Sequence, residues 1–248
     1  MSSKKKELSF SLSDLNILIL GAKLGIGASL ARICGEQNAN VILVDKEEPT
    51  GLADNLKQLA AANIVTYGCD IANRDAVESL AAELSQRNYS PHSVALTAGI
   101  TFYNDLLETD NETWDRDVEQ IFNVNLAGPI NVARSFLPIM EKNNWGRMVL
   151  VGSIAGRMGG LTSQPHYAAS KGGVHSLTRW LASKYAPSGV LVNAVAPGPT
   201  KTRMTEGRSI DTSKLPLRRM LDPEDIAWPI AFLPVSYTHL TLPTKRIV

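Results

Sequence analysis

Residues 15–45 read LNILILGAKLGIGASLARICGEQNANVILVD, and the fold follows from that stretch. Residues 15–20 (LNILIL) are an apolar run of strand length, closed by Gly21. The segment that follows sets glycines at 21, 25 and 27, with Lys23 and Ile26 between them, at the head of a helix-forming run. Residues 40–44 (NVILV) are a second buried strand, tipped by Asp45. A strand, a glycine-rich turn, a helix and a strand ending in an acid serve one purpose together. Glycines let the backbone approach a pyrophosphate, and a helix N-terminus offers N–H groups and the positive end of its dipole. Asp45 lies about 20 residues further on, where a carboxylate accepts hydrogen bonds from ribose hydroxyls.

The alternation continues outward. Residues 52–62 read as helix, 64–67 as strand, 74–87 as helix and 94–97 as strand. A long helical region covers 112–142, then RMVLV at 147–151 makes a strand. A helix ending near Pro187 precedes the strand at 190–195 (VLVNAV). Strands alternating with helices imply an α/β fold of the Rossmann type, a doubly wound parallel sheet with helices on both faces and right-handed crossovers. Chemistry in such sheets gathers at the carboxyl ends of the strands. Gly21, Asp45, Asp70, Gly99, Ser153 and Pro197 all fall at such ends, which argues for one shared site.

The stretch at 153–171, SIAGRMGGLTSQPHYAASK, carries the chemistry. Tyr167 and Lys171 stand four residues apart on a helix whose apolar face holds Leu177 and Leu181, so ammonium and phenol share one side. A phenol titrates near ~10, and a neighbouring cation favours the phenolate, so Lys171 is expected to pull Tyr167 toward the working range of a base. Ser153, upstream on a loop, can hold a substrate oxygen. A Y-x-x-x-K pair also arises by chance; its place among the strand ends singles this one out.

Composition sets the bounds. With 248 residues and 44% hydrophobic content, the chain suits one domain, and a formal charge of +1 gives no reason to expect nucleic acid or an acidic membrane as partner. Cys34 and Cys69 are isolated, which points to a reduced, cytoplasmic setting. His92 and His175 lie outside any metal-ligand pattern, and no metal is expected. Neither a signal core nor a membrane-length apolar run is present in the sequence.

At this point the chain resembles the short-chain dehydrogenase/reductase family over residues 12–233. The family's T-G-x-x-x-G-I-G matches 21–27 with Leu20 in place of the threonine, and its N-N-A-G is Leu96, Thr97, Ala98, Gly99 here. Asp70, followed by Ile71, matches the acid that contacts adenine. Asn125 in FNVNLAG, Ser153 in VGSIAG, Tyr167 and Lys171 match the catalytic tetrad. Pro197 and Gly198, with Thr200 and Thr202 behind them, match the segment over the nicotinamide. The resemblance implies hydride transfer between NAD(P) and a ketone or secondary alcohol. Tyr167 would be acid and base, Lys171 would also bind the nicotinamide ribose, Ser153 would hold the substrate oxygen, and Asn125 a relay water. It also implies a homodimer or homotetramer. Members closest in pattern are 3-oxoacyl-acyl-carrier-protein reductases, whose basic docking positions are Leu137 and Ser183 here. A nucleotide-binding regulator without turnover is the reading from another class.

Further expectations follow from the resemblance. In that fold the first and fourth strands are adjacent, so Leu20 and Leu96–Thr97 are neighbours and a polar contact is exchanged for a more apolar one. Pro129 has no N–H for the carbonyl of Asn125, consistent with a bend there. His166 should project away from the site, and the loop at 202–216 should cover the pocket. NAD(H) is favoured because Asp45 repels a 2′-phosphate; Lys46 and Lys23 argue for NADP(H), which stays the second cofactor.

Residues 1–11 read as a flexible tail. At the other end, VSYTHLTLPT (235–244) reads as the translation of a transposon mosaic-end sequencing adapter. Residues 235–248 are therefore taken as artefactual, and 234–248 are left out of the fold. The family's last strand is then missing, and the strand at 190–195 becomes an edge.

Overall fold

A computed structural model describes residues 11–59, 63–104, 106–159 and 163–234. The first and last stretches, with the tail read as adapter, lie outside them. The elements run β1 (Asn16–Leu20), α1 (Gly25–Glu36), β2 (Asn40–Asp45), α2 (Thr50–Leu59), β3 (Ile64–Gly68), α3 (Arg74–Gln86) and β4 (Ser93–Leu96). There follow α4 (Asn111–Phe122), α5 (Gly128–Lys142), β5 (Gly146–Val151), α6 (Ala155–Met158), α7 (Pro165–Tyr185), β6 (Val190–Val195) and α8 (Pro223–Phe232). The helix expected at 52–62 is α2, which ends at Leu59; residues 60–62 are not described.

The strands form one parallel sheet in the order β3-β2-β1-β4-β5-β6. The strand order reverses between β1 and β4, and the crevice beyond their carboxyl ends is where such sheets bind ligands. Side chains alternate across the sheet. Leu18, Leu20, Ile42, Val44, Val94 and Leu150 face α3, α5 and α7, meeting Val77, Phe136 and Val174. Ile17, Ile19, Val41, Leu43 and Val149 face α1, α2 and α8, meeting Leu30, Leu56 and Ile230. Both faces are covered, which is why β1, β2 and β5 read as unbroken apolar runs. Each such side chain contributes about 1.5–3 kcal/mol by leaving water. β6 is the edge among the described residues, and Leu191 on it is 44% exposed.

The long helical region is not bent at a simple break. Between α4 and α5 the chain makes a π-helical turn over Asn123–Ala127, in which the Gly128 N–H reaches back to the Asn123 carbonyl. Pro129 has no N–H to give the carbonyl of Asn125, so the ladder widens by one residue instead of stopping.

Among the described residues no helix is long and apolar enough to cross a membrane, and no His/Cys/Asp/Glu cluster suits a metal. Both cysteines are buried thiols; burial pushes Cys34 up to about 12 and Cys69 to about 11.

Candidate active site

The glycine turn is fixed by packing. Gly21 has φ +91, and a Cβ on it would lie 2.3 Å from the Ala98 nitrogen. A Cβ on Gly27 would lie 2.0 Å from the Gly21 carbonyl oxygen, so α1 can sit this close to the turn only without a side chain there. The first turn of α1 has no side-chain cap, because Leu24 occupies the N-cap position. Those N–H groups are left for an anion.

β1 and β4 pair as expected, Leu20 opposite Leu96 with both buried. The polar contact between them has not been lost, however. The Thr97 hydroxyl lies 3.0 Å from the Leu20 carbonyl oxygen and 2.9 Å from that of Gly21, and donates to this pair. Backbone carbonyls are present whatever the side chain at 20, so the hydroxyl does not need a threonine partner.

Asp45 at the tip of β2 accepts the backbone N–H of Lys23 at 2.9 Å and of Lys46 at 2.8 Å. Neither lysine side chain points to it. Lys46 pairs with Asp70 at 3.0 Å, and Lys23 pairs with Glu47. At Asp70 burial opposes ionisation, but the Lys46 ammonium and the Ala72 N–H outweigh it and hold the carboxyl below its ordinary range. The Ile71 side chain is buried against Gly128 of α5, and its carbonyl accepts the Asn131 side-chain N–H at 3.0 Å.

Ser153, Tyr167 and Lys171 come together. Ser153 is buried on the loop after β5, its Oγ accepts the Ala155 N–H at 3.1 Å, and its side chain lies near enough to the Tyr167 hydroxyl to favour the phenolate. Lys171 is 4% exposed, and its Nζ lies 5.8 Å from the Tyr167 ring centre and donates to the Val151 carbonyl at 2.9 Å. The expected lowering of the Tyr167 pKa by Lys171 is not found. Burial is the largest influence and raises it; Ser153 works the other way, and nearby Tyr103 adds a smaller rise. Burial also brings Lys171 from 10.5 down to about 8. The i,i+4 spacing set the two on one face, but the depth of the cleft decides the sign.

Asn125 is 1% exposed and its amide is committed within the fold. Oδ1 accepts the Ile100 N–H at 2.9 Å, while Nδ2 donates to the Ile100 carbonyl at 2.9 Å and to Ser170 Oγ at 3.2 Å. This ties the loop after Gly99 to α7. A Cβ on Gly99 would lie 3.2 Å from Lys171 Nζ and 3.3 Å from Asn125 Oδ1, which places Gly99 beside both.

The segment after β6 closes over the glycine turn. The Pro197 carbonyl accepts the Ile154 N–H at 3.0 Å, and Thr200, buried, donates to the Gly198 carbonyl at 2.9 Å. Thr202 stands against Gly25, its methyl 3.1 Å from where a Cβ would be. Beyond it, two short 3₁₀ turns at Arg203–Thr205 and Thr212–Lys214 form the loop.

Four residues at the site went unassigned from the sequence. Tyr103 donates its hydroxyl to the Met204 carbonyl at 3.0 Å and carries Arg208 3.6 Å above its ring, which joins the loop after β4 to the loop after β6. Asn104 and Gln164 are hydrogen-bonded across the same mouth. His175 receives the Ser153 backbone N–H on Nε2 at 3.4 Å. Only position at a strand's carboxyl end or on the Tyr–Lys face could have flagged them. His166 turns into the packing of α4 on α7, 5% exposed and edge-on to Trp114 at 5.1 Å.

The short chain dehydrogenase family model matches residues 15–212. The chain is 32% identical over 247 residues to an acetoacetyl-CoA reductase of Synechocystis, covering 97% of each. It is 34% identical over 223 residues to the 3-oxoacyl-[acyl-carrier-protein] reductase FabG of Thermotoga maritima, covering 87% of this chain and 88% of that one. A crystal structure of a 3-oxoacyl-[acyl-carrier protein] reductase with bound NAD from Brucella melitensis superposes with TM-score 0.81 at 28% identity, covering 91% of this chain and 86% of that one. The chain belongs to the short-chain dehydrogenase/reductase family. It is accordingly an oxidoreductase that acts on CH–OH or keto groups of small molecules with a nicotinamide cofactor.

Proposed function

We propose that Tyr167 passes a proton to and from the oxygen of a ketone or secondary alcohol while hydride moves at its carbon. The observation that carries this reading is the meeting of Ser153 and Tyr167 over the buried Lys171 ammonium at the carboxyl end of β5. Tyr167, its pKa raised, holds its proton at neutral pH and serves first as the acid toward a ketone oxygen that Ser153 also binds. Lys171, at about 8, is mainly charged at pH 7 and stabilises the phenolate left behind. Oxidation runs the same steps in reverse. Asn125 fixes the Ile100 loop to α7 through its side-chain amide, and would hold the relay water that the resemblance implies.

A nicotinamide dinucleotide supplies or takes up the hydride when bound. The pyrophosphate fits the uncapped start of α1 behind Gly21, Gly25, Ile26 and Gly27. Asp45 would take the adenosine ribose, Asp70 and Ile71 the adenine, and Ala98, Gly99, Lys171 and 197–202 the nicotinamide half. NAD(H) is the favoured form, since Lys23 and Lys46 are both paired with acids and Asp45 stands at the tip of β2. A cytoplasmic homodimer or homotetramer belongs to the same reading.

The names of the relatives favour a 3-oxoacyl thioester as the ketone. Docking of an acidic carrier at the family's usual helix position is disfavoured, because Leu137 is fully buried. NADH and NADPH oxidation over a panel of ketones, acetoacetyl-CoA included, tests the proposal. Nucleotide binding with no turnover on any member would favour the regulator instead.

A further inference from the structure

Helix α7 grips the backbone at the end of β5 twice. Lys171 Nζ donates to the Val151 carbonyl at 2.9 Å, and one turn later His175 Nε2 accepts the Ser153 N–H at 3.4 Å. Tyr167, Lys171 and His175 are spaced i, i+4, i+8 and so form one stripe. The contact is close: a Cβ on Gly152 would lie 2.3 Å from His175 Nε2, so only glycine lets the imidazole reach this backbone.

We propose that His175 is a positioning residue of the site, whose unprotonated Nε2 locks the Ser153 loop onto the helix that carries Tyr167 and Lys171. The inference rests on the reading of Ser153, Tyr167 and Lys171 as the active site. An imidazolium has no acceptor, so protonation would turn an N–H toward the Ser153 N–H and release the loop. The surroundings keep the ring neutral: burial acts first, then Arg157 of α6, then Arg179 and Lys171 of α7, all lowering its pKa below 6.5. Among the described residues, the charged groups that act on it are all cations.

Two variants of the full chain separate the outcomes. His175→Leu keeps the bulk and removes the acceptor; His175→Gln restores an acceptor that does not titrate. Amide exchange at Ser153, followed across pH 5–8 without substrate, should show protection in the wild type that falls on the acid side below pH 6.5. Protection should be lost about tenfold in the Leu variant, and be pH-independent apart from the intrinsic rate in the Gln variant. On a turned-over ketone, kcat should fall about tenfold in the Leu variant with the KM for NADH unchanged, and the Gln variant should recover it and lose the acid limb. Equal Ser153 protection in wild type and Leu variant overturns the proposal. Normal exchange behaviour with no turnover by the wild type overturns the active-site reading alone.

Discussion

Replacing Lys171 by methionine should make the cofactor-free protein more stable at neutral pH while ending turnover. The ammonium is 4% exposed, and burial takes its pKa from 10.5 to about 8. At about 1.4 kcal/mol per unit, holding the charge in this cleft costs roughly 3 kcal/mol. Removing it also leaves the Val151 carbonyl without its donor, a loss of about 1 kcal/mol. The net gain of about 2 kcal/mol corresponds to a Tm about 4–8 °C higher for a chain of this size. The sign depends on pH. Below about 8 folded and unfolded chains both carry the proton, and the full cost is present. Between about 8 and 10.5 the unfolded chain holds more protons, so raising pH favours the folded wild type. Above 10.5 the cost is gone and the wild type should lead by its hydrogen bond. Melting both proteins at pH 7, 8, 9 and 10 reads the difference directly, with other groups cancelling. A difference that does not change from pH 7 to 10, or a less stable variant at pH 7, would refute the reasoning.

Thr97→Val, nearly isosteric, should lower stability by about 1–2 kcal/mol and weaken NADH binding, because the Leu20 and Gly21 carbonyls lose their hydroxyl donor; Thr97→Ser should keep most of both, as read by thermal melts and cofactor titration. Asp45→Ser should relax the preference for NADH over NADPH. Like charges near 4 Å repel by about 4 kcal/mol at an effective dielectric of 20, and a third of that is already about tenfold. Comparing kcat/KM for the two cofactors on one ketone decides it, and an equal or higher wild-type value with NADPH would show that Lys23 and Lys46 leave their acids for a phosphate.

Much of the fold was legible because a parallel sheet buried on both faces has little choice of residue. The β2 run, NVILV closed by Asp45, can be little else. The Tyr–Lys pair was legible for a similar reason, since i,i+4 spacing sets two side chains on one face whatever lies around them. The consequences of depth were not. Whether Tyr167 gains or loses a proton more readily depends on its burial in the folded protein and on Ser153 and Tyr103 beside it, which no local pattern encodes. Pro129 signalled a disturbance near Asn125, but a missing N–H can end a helix or widen it, and only packing chose the π turn. Likewise Thr97 looked like a lost polar partner, because its acceptors are backbone carbonyls of a strand far off in sequence.

The proposed proton transfer rests on one hydroxyl. Tyr167→Phe should lower kcat on an active ketone by about 10²–10⁴-fold while the NADH dissociation constant stays within about twofold, because only the proton donor is removed. Wild-type kcat in that variant, with cofactor binding intact, would mean that another residue supplies the proton.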